Sequence, residues 1–544
     1  MEKSNAAWTV MVYLAGDNNL TTECMFALAE MKQAAFGEHL NVIAQFDPCD
    51  PQLPTHRYHI KRHGKKKSFR HDIIDRAGHT GDPGEVSFAN ESLRAQALAA
   101  DRKLERSLCR PELYECTLTS SPAEEEVITD DTDTGSPVTL YNFIAFCLEK
   151  YPADHYLVVL SGHAGGTERD YLLKDESSAG SLTFNELKNV FRRVKEDRDG
   201  QTIDIIGMDN CLMSMAEICY ELRGVAEVVI GCESFSPASG WPYREVLERL
   251  AKDFVSPRLR PGESVAQAAG GAIVKEYVNY YASYWIAGLS VTQSALNICK
   301  VETLREEVDK LAQVMEQQLA DEWQANGTDR QFHDALLLAH WEAQSYNGEQ
   351  FVDLYDFCHC LELRVDDGAV AEQCRAVQEF LRNEFVLTSC YCGAAYQYSY
   401  GVSLYFPWSQ VAPSYWNLDF CKDAKGSSWG SFLKTYTLLT RRLPRGINGD
   451  SKLGRALNSM IEDYLLSVRT STEPLGGEGN DRMGTDRMGS DRMGTDRMGT
   501  DRMNSGLAKN YIHSMRNPPN VFFPDECLRK RRSTLLTEEI LRLQ

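Results

Sequence analysis

The rhythm of the first 300 residues constrains the fold more than any other feature. Short apolar runs alternate with longer segments whose apolar residues recur at helical spacing, as when "WTVMVYLAG" is followed by "TTECMFALAEMKQAA". Further apolar runs cover residues 40–47, 155–163, 203–211 and 227–235. Strands separated by helices predict a mainly parallel sheet with helices on both faces. We therefore expect an α/β domain over residues 1–300.

Three regions break this rhythm. Residues 64 to about 136 carry a basic run and then the acidic, turn-rich "SSPAEEEVITDDTDTGSP", which predicts a mobile surface insertion. Residues 301–440 are mostly helical in pattern, with one strand-like passage, "YSYGVSLYFPW", and we expect a smaller accessory domain there. In residues 441–544, Asp-Arg-Met recurs five times with a period of five, which suits neither helix nor strand, so we expect a low-complexity, largely disordered tail.

Composition narrows the classes of function. Lysine and arginine number 58 against 78 acidic residues, a net charge of −20 over 544 residues, which disfavours binding to nucleic acid or to acidic membranes. The start "MEKSNAAW" has mixed charge, and the apolar run after it is too short for a secretory signal or a membrane span. Sixteen cysteines at irregular spacing are typical of reduced thiols. We expect a cytoplasmic protein.

Two strand ends carry residues that suit nucleophilic catalysis. His163 ends "LVVLSGH", and Cys211 follows "IDIIGMDN" at the point where an apolar, helix-like segment begins. A thiol at a helix N-terminus has its thiolate stabilised, and a histidine across a cleft can protonate a departing amine. Most cysteines are inert core thiols, and a lone histidine is usually a surface or capping residue. The pairing of both at strand ends favours the catalytic interpretation without excluding the structural one.

Other cysteines give a weaker signal. "CHC" at Cys358–Cys360 and "CYC" at Cys390–Cys392 bring four thiols into the sequence pattern. Their C-x-C spacing differs from the C-x₂₋₄-C spacing of zinc sites, and Cys358 falls at a core-like helical position. We therefore expect no metal site.

Four motifs together resemble the clostripain family of cysteine peptidases, whose fold is caspase-like. They are "WTVMVYLAGDNNL", "SGHAGG", "GMDNCLMSMAEICYEL" and "ESFSPASGWPY", and the similarity extends in order over about residues 8–440. The resemblance implies that His163 and Cys211 are the catalytic dyad, with the backbone N–H groups of Ala164 and Cys211 as the oxyanion hole. It also implies that Asp209 is the acid of the S1 pocket, where arginine would bind better than lysine.

Some of these assignments have alternatives. The family usually has glycine where Ala164 stands, and an alanine there would be strained if φ were positive. Asp209 also suits a turn cap after its strand, in which case Glu233 is the next candidate for the S1 carboxylate. The turn "GDNNL", with Asp17, Asn18 and Asn19, lies at the same sheet edge, and these residues either shape the cleft wall or simply form the turn.

The residue pattern and the resemblance together predict an endopeptidase that cleaves after basic residues, with arginine preferred over lysine. Its expected partners are protein substrates with exposed Arg or Lys and a regulatory protein or activating protease, and "GMDNCLMSMAE" resembles relatives in defence-type cascades. No cofactor is expected, although calcium dependence stays open. The alternative is a catalytically weak or inactive adaptor that keeps the fold and binds partner proteins.

Self-cleavage is expected at basic residues in accessible segments. Arg169 and Lys174 lie between the two dyad residues in "GTERDYLLKDESSAGS", where clostripain-like enzymes are commonly processed, and "DESSAG" is typical of an exposed loop. The repeat tail supplies the remaining candidates, which are Arg482, Arg487, Arg492, Arg497 and Arg502.

Overall fold

A computed structural model describes residues 6–49, 55–60, 123–127, 133–283, 290–324, 331–347, 350–366, 368–408, 410–422 and 428–440. Most of the insertion expected at 64–136, and all of the tail at 441–544 with its five arginines, lie outside the described residues. Within the described ranges, no helix combines the length and the apolar composition that crossing a bilayer requires.

The described residues form a large sheet and a small one. In chain order the strands are β1 (Ala6–Gly16), β2 (Leu40–Pro48), β3 (His56–Ile60), β4 (Ala123–Val127), β5 (Ala153–Ser161), β6 (Ile203–Asp209), β7 (Ala226–Gly231), β8 (Val291–Asn297), β9 (Ser345–Tyr346), β10 (Phe351–Asp353), β11 (Val386–Cys392) and β12 (Ser403–Tyr405). The large sheet has the order β11-β8-β7-β6-β5-β1-β2-β3-β4, and the small one the order β12-β10-β9. Strands β2, β1, β5, β6 and β7 are parallel, whereas the pairings outside them are antiparallel.

Helices cover both faces of the large sheet. They are α1 (Thr21–Gln33), α2 (Pro137–Lys150), α3 (Gly166–Arg169), α4 (Phe184–Asp197), α5 (Ala216–Glu221), α6 (Tyr243–Asp253), α7 (Val265–Ser283), α8 (Val301–Gln324), α9 (Gln331–Glu342), α10 (Leu354–Glu362), α11 (Ala369–Phe380), α12 (Asp419–Lys422) and α13 (Ser428–Thr440). Single 3₁₀ turns occur at Ile298–Lys300, Ala394–Tyr396 and Pro413–Asn417, and a π-helical turn at Leu381–Phe385.

Strand β1 shows why the central strands read as continuous apolar runs. Met11 and Tyr13 join one hydrophobic cluster, whereas Val10 and Val12 join the cluster on the opposite face. Successive side chains of a strand point to opposite faces, and both faces are covered, so nearly every position of β1 is apolar, with the buried Thr9 as the exception. The expected α/β class with a helix-flanked sheet is confirmed, with antiparallel strands added at both margins.

The boundary expected at residue 300 does not divide the sheet. Strand β11 comes from the later segment, yet it pairs with β8, with Cys390 opposite Gln293. A partly buried ion pair also joins the two segments, in which the ammonium group of Lys188 on α4 lies 3.1 Å from the carboxylate of Asp419 on α12. The described residues of 301–440 are mostly helical, and many of their buried side chains belong to the same hydrophobic cluster as residues of the first 300.

Candidate active site

A cavity of about 670 Å³ opens at the sheet edge where β1, β5 and β6 end. Asp209 is the last residue of β6, and Cys211 follows it by two positions. His163 stands two residues after the end of β5, and Asn19 lies in the turn between β1 and α1. All four line this cavity, as do Ala164, Arg169 and Lys174. Parallel strands therefore bring the predicted site residues to one place.

A hydrogen bond ties together the two loops that carry the dyad candidates. The side-chain amide of Asn210 donates to the carbonyl of Gly162 at 2.7 Å. These two residues directly precede Cys211 and His163. The bond therefore fixes the separation of the loops at the positions from which the thiol and the imidazole extend.

Cys211 does not begin a helix, which corrects the sequence-based expectation. It lies in a turn, and α5 begins only at Ala216. Leu212 has a φ of 61°, and its N–H donates to the carbonyl of Ser234 at 2.9 Å. Ser214 likewise donates to Cys232 at 3.0 Å, so the segment is held against the loop after β7. Stabilisation of a thiolate by a helix N-terminus is thus not available here.

Both dyad candidates are uncharged at neutral pH in this arrangement. Burial raises the pKa of the Cys211 thiol to about 12, with Cys232 and Asp209 acting in the same direction. Burial lowers the pKa of His163 to about 4, and the ammonium group of Lys174 lowers it further. The charged forms are disfavoured because both groups are partly withdrawn from water. The two groups therefore rest as a neutral imidazole and a thiol, and the sulfur of the thiol lies 4.0 Å from the carbonyl oxygen of Ser236.

The imidazole of His163 bonds to the β1–α1 turn. Its Nε2 lies 2.6 Å from Oδ1 of Asn19. An amide oxygen only accepts, so the ring proton is on Nε2 and the lone pair is on Nδ1. Within the described chain, Nδ1 takes part in no other hydrogen bond.

Asn18 builds the turn that presents Asn19. It is buried, and its Nδ2 donates to the carbonyls of Ala15 at 3.0 Å and Lys174 at 2.8 Å. Its Oδ1 accepts the N–H of Leu20 at 2.8 Å. Of the three polar residues of this turn, Asn19 lines the cavity, whereas Asn18 forms the turn and neither Asn18 nor Asp17 is among the lining residues.

The two backbone N–H groups assigned to an oxyanion hole are unengaged. Neither Ala164 nor Cys211 donates its N–H to another residue of the described chain. Ala164 stands opposite Leu172 in an isolated antiparallel bridge whose hydrogen bonds are made by its neighbours. Ala164 is not among the residues with positive φ, so alanine is unstrained where the family usually has glycine.

Asp209 lies in the cavity wall, and the backbone of Gly240 packs close to its carboxylate. Its side chain is buried, and Oδ2 accepts hydrogen bonds from the hydroxyls of Ser161 at 3.0 Å and Tyr243 at 2.8 Å. A Cβ on Gly240 would come within 2.7 Å of Oδ2. Gly240 and Tyr243 both belong to the motif "ESFSPASGWPY", but the motif alone does not predict their contact with Asp209, because that contact depends on how the loop after β7 folds back onto β6.

Glu233, the alternative S1 carboxylate, has a different place. It is buried, and its Oε2 accepts the N–H of Gly401 at 2.9 Å. Its electrostatic neighbour is Asp353, and burial raises the pKa values of both carboxyl groups. Among the described residues that line the cavity, Glu233 is not found. It connects the loop after β7 to the accessory segment instead.

The segment after α3 is only partly an exposed loop. The Lys174 side chain is 44% exposed, but its carbonyl is held by Asn18, and Glu176 donates its N–H to Asp17 at 2.8 Å. Asp175 is buried and accepts the N–H of Thr134 at 2.9 Å. The expectation of an open "DESSAG" loop is therefore right from Glu176 onwards and wrong for Asp175, whose carboxylate anchors the segment.

Three buried carboxylates meet beside this anchor. Ligand atoms of Asp17, Asp47 and Asp175 lie within 4.8 Å of one another, a grouping that sequence spacing did not indicate. Thr55 donates to Asp47 at 2.6 Å, and burial raises the pKa of Asp17. The cluster joins the β1–α1 turn to the segment after α3.

The cysteines weighed as zinc ligands lie in ordinary core positions. Cys358 and Cys360 are buried on α10, and Cys390 and Cys392 are buried on β11. Over the part of the chain that the structure describes, they form no converging ligand group. The cysteines described there are free thiols.

Comparison with known proteins identifies the family to which the sequence is similar. The sequence model of the clostripain family, peptidase family C11, matches residues 12–436. Clostripain from Hathewaya histolytica is 23% identical over 138 residues, which are 22% of this chain and about a quarter (25%) of that relative's length.

Similar solved structures are also C11 proteases. One is an inactive zymogen C11 protease from Parabacteroides distasonis, with a TM-score of 0.48 and 17% identity, covering 78% of this chain and 99% of that one. Another is a secreted C11 cysteine protease from Bacteroides thetaiotaomicron in complex with an irreversible peptide inhibitor, with a TM-score of 0.48 and 16% identity, covering 79% and 99% respectively.

Proposed function

Since the chain belongs to the clostripain family of cysteine peptidases, whose sequence model spans residues 12–436, we propose that it is an endopeptidase cleaving after arginine and, less readily, after lysine. One observation carries the proposal. His163, Cys211 and Asp209 line a single cavity at the carboxyl edge of the sheet. A nucleophile, a base and an anionic specificity group are the set that such a reaction requires.

The reaction begins from the neutral pair. The Cys211 thiol gives its proton to His163 as the sulfur attacks the carbonyl carbon, and the carbonyl oxygen becomes an oxyanion. The unengaged N–H groups of Ala164 and Cys211 are available to bind this oxyanion. The imidazolium then protonates the amine as the C–N bond breaks, which leaves a thioester on Cys211. Water, deprotonated by His163, hydrolyses the thioester and restores the thiol.

Asp209 supplies the preference for a basic residue. Its carboxylate is buried, so water screens it weakly and a guanidinium group beside it gains a strong, bidentate interaction. The hydroxyls of Ser161 and Tyr243 hold one carboxylate oxygen, and Gly240, which also lines the cavity, brings no side chain to cover the carboxylate. Lysine would make a single-point contact, which is the reason to expect arginine first.

The intact chain is proposed to be restrained until it is cut. Lys174 lines the cavity, and its charge opposes formation of the His163 imidazolium. Cleavage after Lys174 or Arg169, by the protein itself or by an activating protease, would free the segment to leave. The tail arginines lie outside the described residues and are proposed as secondary cutting sites.

The cellular setting is proposed from chemistry alone. Free thiols throughout the described chain suit a reducing cytoplasm, and a net charge of −20 argues against nucleic acid or acidic membranes as partners. Proteins with exposed arginine or lysine are the proposed substrates, within an intracellular and defence-related cascade under a regulatory protein. Thiol and imidazole suffice for the reaction, so no cofactor is proposed.

Hydrolysis of a peptide with arginine before the scissile bond tests this function. Cys211→Ala and His163→Ala should each abolish hydrolysis and leave the fold intact, because both side chains lie on loops at the sheet edge. Cys299→Ala, an exposed thiol on a 3₁₀ turn, is the matched control and should keep wild-type activity. Wild-type turnover in Cys211→Ala would overturn the mechanism. A folded wild type that neither hydrolyses such peptides nor reacts with arginyl electrophiles would favour the adaptor alternative.

A further inference from the structure

We propose that Asn19 is a positioning residue that fixes the tautomer of His163 and so leaves the Nδ1 lone pair for the Cys211 proton. The inference rests on the proposed peptidase function and adds a third member to its machinery. Asn19 lines the cavity, and its proposed role is to orient the imidazole rather than to contact the reacting atoms.

The geometry is a short, direct contact. Nε2 of His163 and Oδ1 of Asn19 are 2.6 Å apart, which is well within hydrogen-bond range. A neutral imidazole donates from one nitrogen and accepts at the other, so an acceptor at Nε2 places the lone pair at Nδ1. His163 and Cys211 line the same cavity, and we assign this lone pair as the base that takes the thiol proton once the thiol leaves the carbonyl oxygen of Ser236, which lies 4.0 Å from its sulfur.

The backbone around Asn19 holds it in position. The buried amide of Asn18 makes three hydrogen bonds within and across the turn, to Ala15, Leu20 and Lys174. The N–H of Thr21 bonds to the carbonyl of Asn18 at 3.3 Å, which closes the turn on the far side of Asn19. Because the backbone is fixed on both sides of Asn19, little conformational entropy is lost when its side chain bonds to His163. A residue that positions another side chain needs such a rigid base.

An amide suits this place better than a carboxylate would. His163 is desolvated and faces the charge of Lys174, so its neutral form is favoured at rest. A carboxylate at position 19 would stabilise the imidazolium in the resting state, whereas the amide orients the ring without charging it. When the thiol proton reaches Nδ1, both ring nitrogens carry hydrogen, and the Nε2–H bond to Asn19 becomes charge-assisted. The bond thus persists while Nδ1–H passes to the leaving amine.

The test compares Asn19→Ala and Asn19→Asp with Asn41→Ala. Asn41 is on β2, and its amide donates to Thr9 at 3.0 Å, so its loss removes one amide hydrogen bond far from the cavity. For Asn19→Ala we expect kcat to fall about 10- to 100-fold, as for other residues that orient a functional histidine, with little change in KM. Asn19→Asp should recover part of kcat and move the acid limb of the pH profile upward, because a carboxylate raises the imidazolium pKa. Asn41→Ala should keep the wild-type profile.

Alkylation of Cys211 by iodoacetamide gives a second readout that needs no substrate. Its rate against pH, followed by mass spectrometry of the Cys211 peptide, reports transfer of the thiol proton to His163. Asn19→Ala should slow this alkylation and Asn19→Asp should shift its pH dependence. If the wild type is active and Asn19→Ala has the same kcat, pH profile and alkylation rate, the role of Asn19 is overturned and the proposed function still stands. If the wild type hydrolyses no peptide, the function fails, and the alkylation profiles still decide about Asn19.

Discussion

Replacing Asp209 by asparagine removes the charge of the proposed S1 pocket and changes little else. The carboxylate is only 5% exposed, and the hydroxyls of Ser161 and Tyr243 that donate to it can donate equally to an amide oxygen. The variant should therefore fold. What it loses is the partner of a buried guanidinium group.

The size of the loss follows from burial. Truncating one member of a buried, hydrogen-bonded charge pair costs about 2–5 kcal/mol, which corresponds to about 30- to 5,000-fold in kcat/KM. The loss should concern peptides with arginine or lysine before the scissile bond. A matched peptide with glutamine there should be affected far less, because it brings no charge to be left unpaired. The ratio of kcat/KM for the arginine and glutamine peptides is therefore the quantity to measure.

Asp204→Asn is the matched control for this measurement. Asp204 lies near the other end of β6, where its carboxylate contacts Nδ1 of His155 at 2.7 Å and accepts the N–H of Tyr156 at 2.9 Å. Replacing Asp204 also removes a hydrogen-bonded carboxylate, so the variant can be less stable than the wild type. Its ratio of kcat/KM for the arginine and glutamine peptides should nevertheless equal that of the wild type. If Asp209→Asn also kept the wild-type ratio, the S1 carboxylate would have to be another residue.

Three further predictions address the pocket, processing and stability. Gly240→Ala places a Cβ 2.7 Å from the carboxylate oxygen of the S1 acid at a φ of 66°, so hydrolysis of the arginine peptide and the Tm should both fall, and an unchanged kcat/KM would contradict the pocket. Incubated wild-type protein should be cut after Lys174 and within residues 482–502 while Cys211→Ala stays whole, and mass spectrometry that finds an intact wild type would refute self-processing. Burial raises the pKa of Glu217 to about 7, so the folded state binds the proton more tightly than the unfolded chain, and stability is lost as pH rises from about 4.5 through 7. Glu217→Gln lacks the titrating group and does not lose this stability. The wild type should therefore exceed the variant in free energy of unfolding, measured in urea, by about 3 kcal/mol less at pH 8 than at pH 4. An equal difference at both pH values would contradict the assignment.

The sheet edge was predictable because it follows from local pattern. Apolar runs that end in glycine, aspartate or histidine located the carboxyl ends of β1, β5 and β6. Parallel strands side by side then place His163 and Cys211 at one edge without any knowledge of long-range contacts. The family motifs assigned roles to those positions, and the structure places His163 and Cys211 in the lining of one cavity.

What the sequence could not supply depends on contacts between distant residues. Leu212 takes a positive φ because its N–H reaches Ser234, and this removes the helix expected at Cys211. Asn19 and His163 are 144 positions apart, so neither a periodicity nor a single motif predicts the hydrogen bond between them. The antiparallel addition of β11 to the main sheet has the same origin, since its partner β8 lies nearly a hundred residues earlier.

Covalent labelling tests the central claim, that Cys211 is the nucleophile of an arginine-directed peptidase, most directly. The wild-type chain is treated with a peptide electrophile that carries arginine next to its reactive group, and the adduct is located by peptide mass spectrometry. We expect a single adduct on Cys211 that is lost in Cys211→Ala, retained in Cys299→Ala and strongly slowed in Asp209→Asn. An adduct on another cysteine, or labelling of Cys211 at the same rate by electrophiles with and without arginine, would contradict the claim.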